Sequence, residues 1–174
     1  QGGIGCHYMV TWMNRDTATL THMGGGGVTC ARQAPFTDTP HIFQNLGDGT
    51  YFHIGSLAIR QSIAAGVNIT YKILYNDAVA MTGGQAVGER PEGHTVLQIA
   101  ESLHAEGAAK VVIVSEQFTG QRLLARHRQV NAVLADELAG AIHALALHTY
   151  TTSEWQEKGH APRTPSCVGK PSLS

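Results

Sequence analysis

The chain has 174 residues, of which 43% are hydrophobic and 14% charged, and its net charge is −1 with the histidines counted as neutral. This is the composition of an ordinary globular protein, long enough for one sizeable hydrophobic core. The balanced charge without a basic stripe predicts no nucleic-acid partner, and the short apolar runs predict no membrane span.

The cysteines Cys6, Cys30 and Cys167 are odd in number and show no CxxC spacing. This argues against a disulfide framework or a zinc ribbon, and three thiolates are too few for an iron–sulfur cluster within this chain. The pattern predicts a cytoplasmic, reduced protein. Because the sequence begins at Gln1 without an initiator Met, we also expect it to be cut from a longer chain.

Residues 1–40 carry two glycine-rich patches and are predicted to form loops, with one short helix near residues 15–21. Strand-like and helix-like patterns then alternate. The predicted strands are residues 41–46, 69–75, 110–115 and 142–148, and the predicted helices are residues 55–65, 95–106 and 129–139.

This alternation predicts an α/β fold, with one parallel sheet and helices on both of its faces. We expect one α/β domain over residues 1–150, made of glycine-rich loops (1–40) and strand–helix repeats (41–150). Residues 151–174 combine prolines with many Ser and Thr and lack an apolar period, so they are predicted to be a disordered or aberrant tail.

A single carboxylate, Asp48, stands between Gly47 and Gly49 just after the first predicted strand. Asn76 follows the next predicted strand, so one strand–helix–strand unit should bring both side chains to one crevice. Their oxygen atoms suit Mg²⁺, and the two glycines would let the backbone approach a diphosphate. The alternative is that the Gly-Asp-Gly sequence is simply a turn.

Four longer stretches extend this pattern: GIGCHYM, THMGG, FQNLGDGTYFH and AAGVNITYKILYNDAVAMTGGQ. Together they resemble the thiamine-diphosphate-binding region of the indolepyruvate ferredoxin oxidoreductases, within the 2-oxoacid:ferredoxin oxidoreductase family. The resemblance covers roughly residues 1–140 and implies the parallel-sheet, diphosphate-anchoring domain of that family. From about Ala141 the sequence departs from it, and we expect a frame change or misassembly behind that departure.

The resemblance implies three Mg²⁺ ligands, which are the side chains of Asp48 and Asn76 and the backbone carbonyl of Ala78. It also implies that Asp48, Asn76 and Ala78 contact thiamine diphosphate together with a further set of loop residues. That set is Gly5, Cys6, His22, Gly24, Gly25, Gly47, Gly49, Thr82, Gly83 and Gly84.

The implied reaction is the oxidative decarboxylation of an aryl 2-oxoacid to an acyl-CoA, with ferredoxin accepting the electrons. In this family the carboxylate that activates the cofactor lies on a separate pyrimidine-binding domain, and the iron–sulfur clusters lie on partner domains. We therefore expect a cofactor-anchoring fragment that is inactive on its own. Two alternatives stay open: a non-redox thiamine diphosphate-dependent decarboxylase or synthase, and a non-catalytic phosphate- or nucleotide-binding α/β module.

Overall fold

A computed structural model of the protein describes residues 2–3, 10–14, 16–17, 19–88, 95–133 and 147–159. The chain divides into two compact units, Gln1–Ile99 and Ala100–Ser174. The single domain predicted over residues 1–150 stays a prediction, and each unit is described by itself.

The first unit opens with a short parallel pair, β1 (Gly2–Gly3) and β2 (Leu20–Thr21). A glycine run then leads into α1 (Val28–Gln33), which buries Cys30 and continues into a 3₁₀ turn. The helix predicted near residues 15–21 is wrong for Leu20–Thr21, which form strand β2. Helix α1 lies in the region that was predicted to form loops.

The centre of this unit is one strand–helix–strand repeat. β3 (Ile42–Gly47) passes without a loop into helical structure, and β4 (Ile69–Leu74) then returns parallel to β3 in the register Ile42↔Ile69. The helical part consists of α2 (Asp48–Thr50), a π-helical segment (Tyr51–Gly55) and α3 (Ser56–Ala64). The two predicted strands and the helix between them are confirmed.

One face of the β3–β4 pair is buried, because Gln44 and Leu46 point towards the core with Ala58 and Ile59 of α3. The other face is open, and Phe43 on it is 53% exposed. A small antiparallel hairpin follows, formed by β5 (Ala78–Val79) and β6 (Gln85–Ala86) around the 3₁₀ turn Ala80–Thr82.

Helix α4 (Val96–Ala105) begins with the predicted capping box. The Thr95 backbone N–H donates to Gln98 Oε1 at 3.0 Å, and the Gln98 N–H donates to Thr95 Oγ1 at 3.2 Å. The box satisfies two backbone donors that a helix start leaves unpaired, which explains why the helix starts here.

The second unit, which begins at Ala100 within α4, contains a parallel strand pair. β7 (Val111–Val114) pairs with β8 (Leu147–Tyr150), and α5 (Leu123–Val133) lies between them in sequence. The buried side chains include Val111, Ile113, Phe118, Val130 and Tyr150. The strand predicted at residues 110–115 is confirmed. Helix α5 begins at Leu123, earlier than the predicted helix at residues 129–139. Residues 134–146 lie outside the described part of the chain.

Helix α6 (Thr152–Lys158) occupies the start of the segment predicted to be a disordered tail. Thr151 and Glu154 form a complete capping box, and Gly159 ends the helix in a left-handed conformation (φ 67°). The prediction missed this helix because it relied on apolar periodicity, whereas the helix is specified by its caps. Residues 160–174 lie outside the described part.

The predicted fold class, an extended parallel sheet of the thiamine diphosphate-binding type with helices on both faces, is wrong. The described strands form four separate two-stranded sheets, three parallel and one antiparallel. The sequence pattern predicted the β3–β4 crossover correctly, but periodicity does not determine which more distant strands pair. No described helix is long and apolar enough to cross a membrane.

Candidate functional site

Asp48 lies where β3 ends and α2 begins, and it is 2% exposed. Its Oδ1 accepts the Gly49 N–H at 2.9 Å, and its Oδ2 accepts the N–H groups of Asn76 at 3.1 Å and Asp77 at 2.6 Å. The carboxylate therefore joins the end of β3 to the segment that follows β4. The structure brings Asp48 and Asn76 together as predicted, but through the Asn76 backbone.

The Asn76 side chain is used locally, since its Oδ1 accepts the Ala78 N–H at 3.1 Å. This hydrogen bond closes an Asx turn, in which an Asn side chain mimics a backbone turn. Gly49 lies near the same segment, and a Cβ there would approach Val79 Cγ2 to 3.2 Å. The polar groups around Asp48 thus form a turn network, as the structural alternative for Gly-Asp-Gly anticipated.

The remaining predicted cofactor residues form two further turns. His22 is exposed, and its carbonyl accepts the Gly25 N–H at 3.1 Å. Gly24 has a φ of +84° and packs against Ile54, so a side chain there would be both strained and blocked.

In the β5–β6 hairpin, the Thr82 hydroxyl donates to Gln85 Oε1 at 2.8 Å, and Gly83 and Gly84 have positive φ angles. Gly47 is extended before Asp48. Gly5 and Cys6 lie outside the described residues.

No group of three or more His, Cys, Asp or Glu side chains in the described part of the chain could hold a metal ion. Both oxygens of Asp48 and the amide oxygen of Asn76 already accept backbone N–H groups. The two side chains of the predicted Mg²⁺ ligand set, Asp48 and Asn76, are therefore engaged in hydrogen bonds that stabilise the turn.

A second polar network lies in the second unit, around Arg126 of α5. Arg126 is 6% exposed, and its guanidinium makes a bidentate ion pair with Glu154. The Nη1–Oε2 distance is 2.5 Å and the Nη2–Oε1 distance is 2.9 Å. Arg126 Nε also donates to the Gln121 carbonyl at 2.9 Å, and the guanidinium lies 5.9 Å from the Phe118 ring centre.

Glu154 belongs at the same time to the capping box of α6. Its Oε2 accepts the Thr151 N–H at 2.9 Å, and its own N–H donates to Thr151 Oγ1 at 3.1 Å. The hydrogen bonds from Arg126, followed by that from Thr151, lower the pKa of Glu154 to about 2. The Glu154 hydrogen bonds raise the pKa of Arg126 in turn.

The start of α5 is basic. Arg122 and Arg128 are exposed on either side of the buried Arg126, and residues 117–133 contain no Asp or Glu. His148 lies on the neighbouring strand β8. Burial lowers its pKa, and the nearby Lys110 and His127 lower it further. At the start of α5 itself, the exposed arginines Arg122 and Arg128 carry the positive charge.

Sequence comparison identifies relatives of the second part of the chain. The BolA-like protein family matches residues 88–154. The DNA-binding transcriptional regulator BolA of Vibrio cholerae is 58% identical over 66 residues, which is 37% of this chain and 62% of that protein. The regulator of the same name from Escherichia coli is 46% identical over 71 residues, or 40% of this chain and 68% of that protein.

A mammalian relative gives the longest of these matches. BolA-like protein 1 of Bos taurus is 34% identical over 112 residues, which is 64% of this chain and 70% of that protein. The chain thus spans roughly two thirds of the length of these relatives. The segment that matches the family begins at residue 88, beyond Asp48 and the β3–β4 pair.

These findings correct the main functional predictions. The relatives are BolA-like proteins, so the assignment to the 2-oxoacid:ferredoxin oxidoreductases is wrong, and with it the predicted oxidative decarboxylation. The predicted thiamine diphosphate and Mg²⁺ cofactors are wrong for the same reason, as are the predicted partners: pyrimidine-binding and iron–sulfur domains, ferredoxin, coenzyme A and a 2-oxoacid. The two open alternatives gain no support.

The expectation of no nucleic-acid partner also needs correction, since it conflicts with the names of the bacterial relatives, which are DNA-binding transcriptional regulators. That expectation rested on the balanced net charge and on the absence of a basic stripe, and it overlooked a short basic cluster. Two signals in the sequence mark the second unit: the basic stretch RLLARHR at residues 122–128, and the capping-box spacing from Thr151 to Glu154.

Proposed function

The chain belongs to the BolA-like protein family, and we propose that it is a DNA-binding regulator whose phosphate contacts lie at the start of α5. The observation that carries the proposal is the 58% identity to a protein named as a DNA-binding transcriptional regulator. The segment that matches the family, residues 88–154, contains the basic cluster.

The charge distribution of α5 supports phosphate contact. Arg122 and Arg128 are exposed, and residues 117–133 carry no acidic side chain that would repel a phosphate. Arginine suits this role because its planar guanidinium stays charged and offers donors in a fork that matches a phosphate. Arg122 directly precedes α5 and Arg128 lies six residues further on, about 9 Å along a helix axis.

The proposal places the phosphate contacts on two arginines, Arg122 and Arg128, and so implies a small, local DNA interface. The whole chain has a net charge of −1, which provides no general attraction to DNA. Binding should therefore depend strongly on these two arginines and little on arginines elsewhere. Arg32 on α1 serves as a matched control, since it is also exposed and lies in the other unit.

We place the protein in the cytoplasm. The three cysteines of the sequence show no paired spacing, which fits a reducing compartment. Fractionation of cells that express the full-length protein tests the location, and recovery from a secreted or membrane fraction would contradict it.

The test is fluorescence anisotropy of a labelled duplex of about 20 base pairs, titrated with wild type, Arg122→Ala, Arg128→Ala and Arg32→Ala. All three variants lose one positive charge, so net charge is matched. We expect wild type to bind in the range of about 1–100 µM that is typical of non-specific contact, or more tightly to a preferred sequence. Arg122→Ala and Arg128→Ala should bind clearly more weakly, whereas Arg32→Ala should match wild type.

Two results would overturn the proposal. The first is the absence of wild-type binding at 50 mM salt and 100 µM protein, given about 10⁻⁴ M as the weak limit of non-specific DNA binding. The second is equal weakening by all three variants, which would place the interface elsewhere or reduce it to net charge.

A further inference from the structure

Arg126 lies between the two exposed arginines, but its surroundings differ from theirs. It is buried, and three of its guanidinium nitrogens are engaged by Glu154 and by the Gln121 carbonyl. A guanidinium held in this way has little capacity left for a phosphate. Of the three arginines near the start of α5, this one is directed into the protein.

The contacts of Arg126 converge on the residue beside Arg122. Gln121, whose carbonyl accepts from Arg126 Nε, directly precedes Arg122 in the chain. The Arg122 carbonyl in turn accepts the N–H groups of Ala125 at 2.9 Å and Arg126 at 3.1 Å. Arg122 is therefore held from both sides: through Gln121 before it and through the first turn of α5 after it.

Glu154 fixes the other end of the arrangement. It lies in the first turn of α6, and the capping box with Thr151 sets its position. Thr151 follows β8 directly, and the Tyr150 carbonyl at the end of that strand accepts the Ser115 N–H at 3.0 Å. The chain of contacts thus runs from the ends of β7 and β8 through Glu154 and Arg126 to the backbone that carries Arg122.

We propose that Arg126 and Glu154 are positioning residues for the DNA interface, which hold the backbone of Arg122 in place while leaving Arg128 unaffected. This inference rests on the proposed function for its DNA readout. Arg128 follows Arg126 inside the helix, where the ordinary helical hydrogen bonds already fix its backbone. Arg122 lies before the helix and depends on the external anchor.

A double-mutant cycle tests the inference on the full chain. Glu154→Gln removes the charge and the bidentate pair but keeps a side chain that suits a capping box, so α6 should still form. The affinity for duplex DNA is measured by anisotropy for wild type and Glu154→Gln, each alone and combined with Arg122→Ala or Arg128→Ala. Arg126→Lys, which keeps the charge but lacks the planar fork, is the second positioning variant.

We expect Glu154→Gln to weaken DNA binding about threefold or more, a coupling within the range found for residues of one network. In the Arg122→Ala background its effect should vanish, because the positioned group is gone. In the Arg128→Ala background it should persist. A role that merely stabilises the fold would give the same effect in both backgrounds, and that result would overturn the inference.

A second measurement needs no DNA. Hydrogen exchange of the Ala125 and Arg126 amides should rise about tenfold in Glu154→Gln and in Arg126→Lys, with amides at the centre of α5 as the control. Unchanged exchange at the first turn would refute the anchoring whatever the DNA result. If exchange rises but wild type binds no DNA, the anchor stands as structure, while the proposed function and the positioning role fail together.

Discussion

Asp48 offers the sharpest test of how the first unit is held together. Its carboxylate accepts three backbone N–H groups, and two of them belong to the segment after β4. Hydrogen bonds to a charged group contribute about 1.5–3 kcal/mol each, and a buried N–H that loses its partner costs a similar amount. An Asn at position 48 has only one acceptor oxygen. Its NH₂ group would face a backbone N–H, so that two donors would meet without an acceptor.

We expect Asp48→Asn to destabilise the β3–β4 pair by about 2–4 kcal/mol. The single amide oxygen can keep the bonds from Asn76 and Asp77, weakened by the loss of charge, while the Gly49 N–H then faces an amide donor. Each 1.4 kcal/mol is a factor of ten, so hydrogen exchange along β3 and β4 should accelerate about 30-fold or more. Mass spectrometry of peptides that cover the two strands provides the measurement.

The matched control is Asp77→Asn, in the neighbouring exposed residue. Asp77 has a positive φ of 55°, which Asn tolerates well, and its side chain is not part of the Asp48 hydrogen bonds. This variant should change exchange by less than about twofold, in keeping with the small effects of surface substitutions. Equal hydrogen-exchange protection of β3 and β4 in Asp48→Asn and Asp77→Asn would refute the structural role of the Asp48 carboxylate.

Three further predictions concern the stability of the two units. Glu154 has a depressed pKa of about 2, so the stability it contributes is present above the unfolded pKa near 4.5 and is lost as pH falls towards 2. Acid titration followed by circular dichroism should accordingly show a shallower decline for Glu154→Gln than for wild type in that window. Burial raises the pKa of Tyr71, whose stabilisation is present below pH 10 and lost above it, so Tyr71→Phe should flatten the alkaline limb of the same titration. Val130 is 1% exposed, and Val130→Ala should cost about 2 kcal/mol in urea unfolding, against a negligible change for the exposed Val114→Ala.

The elements that sequence reasoning predicted well are those with a local physical cause. The Thr95–Gln98 capping box is confirmed because two short-range hydrogen bonds define it. The β3–β4 repeat is confirmed because alternation in β3 and a helical period after Asp48 both follow from which residues are buried. The arrangement of strands into sheets depends on contacts between distant segments, and there the prediction of one extended sheet was wrong.

Sequence reasoning about the site met a related limit. The strand–helix–strand geometry correctly predicted that Asp48 and Asn76 would meet, but sequence spacing does not show which atoms meet. The contact is made by the Asn76 N–H, and the Asn76 side chain turns to Ala78 instead. In the second unit, the pairing of Arg126 with Glu154 spans 28 residues, so neither helix pattern alone reveals it.

The central claim, that the start of α5 contacts DNA phosphates, is tested most directly by the salt dependence of DNA binding. Each phosphate contact adds about 0.9 to the slope of log affinity against log salt concentration. We predict that Arg122→Ala and Arg128→Ala each lower the wild-type slope by about 0.9, and that Arg32→Ala leaves it unchanged. A wild-type slope near zero, or one that neither arginine variant lowers, would contradict the account.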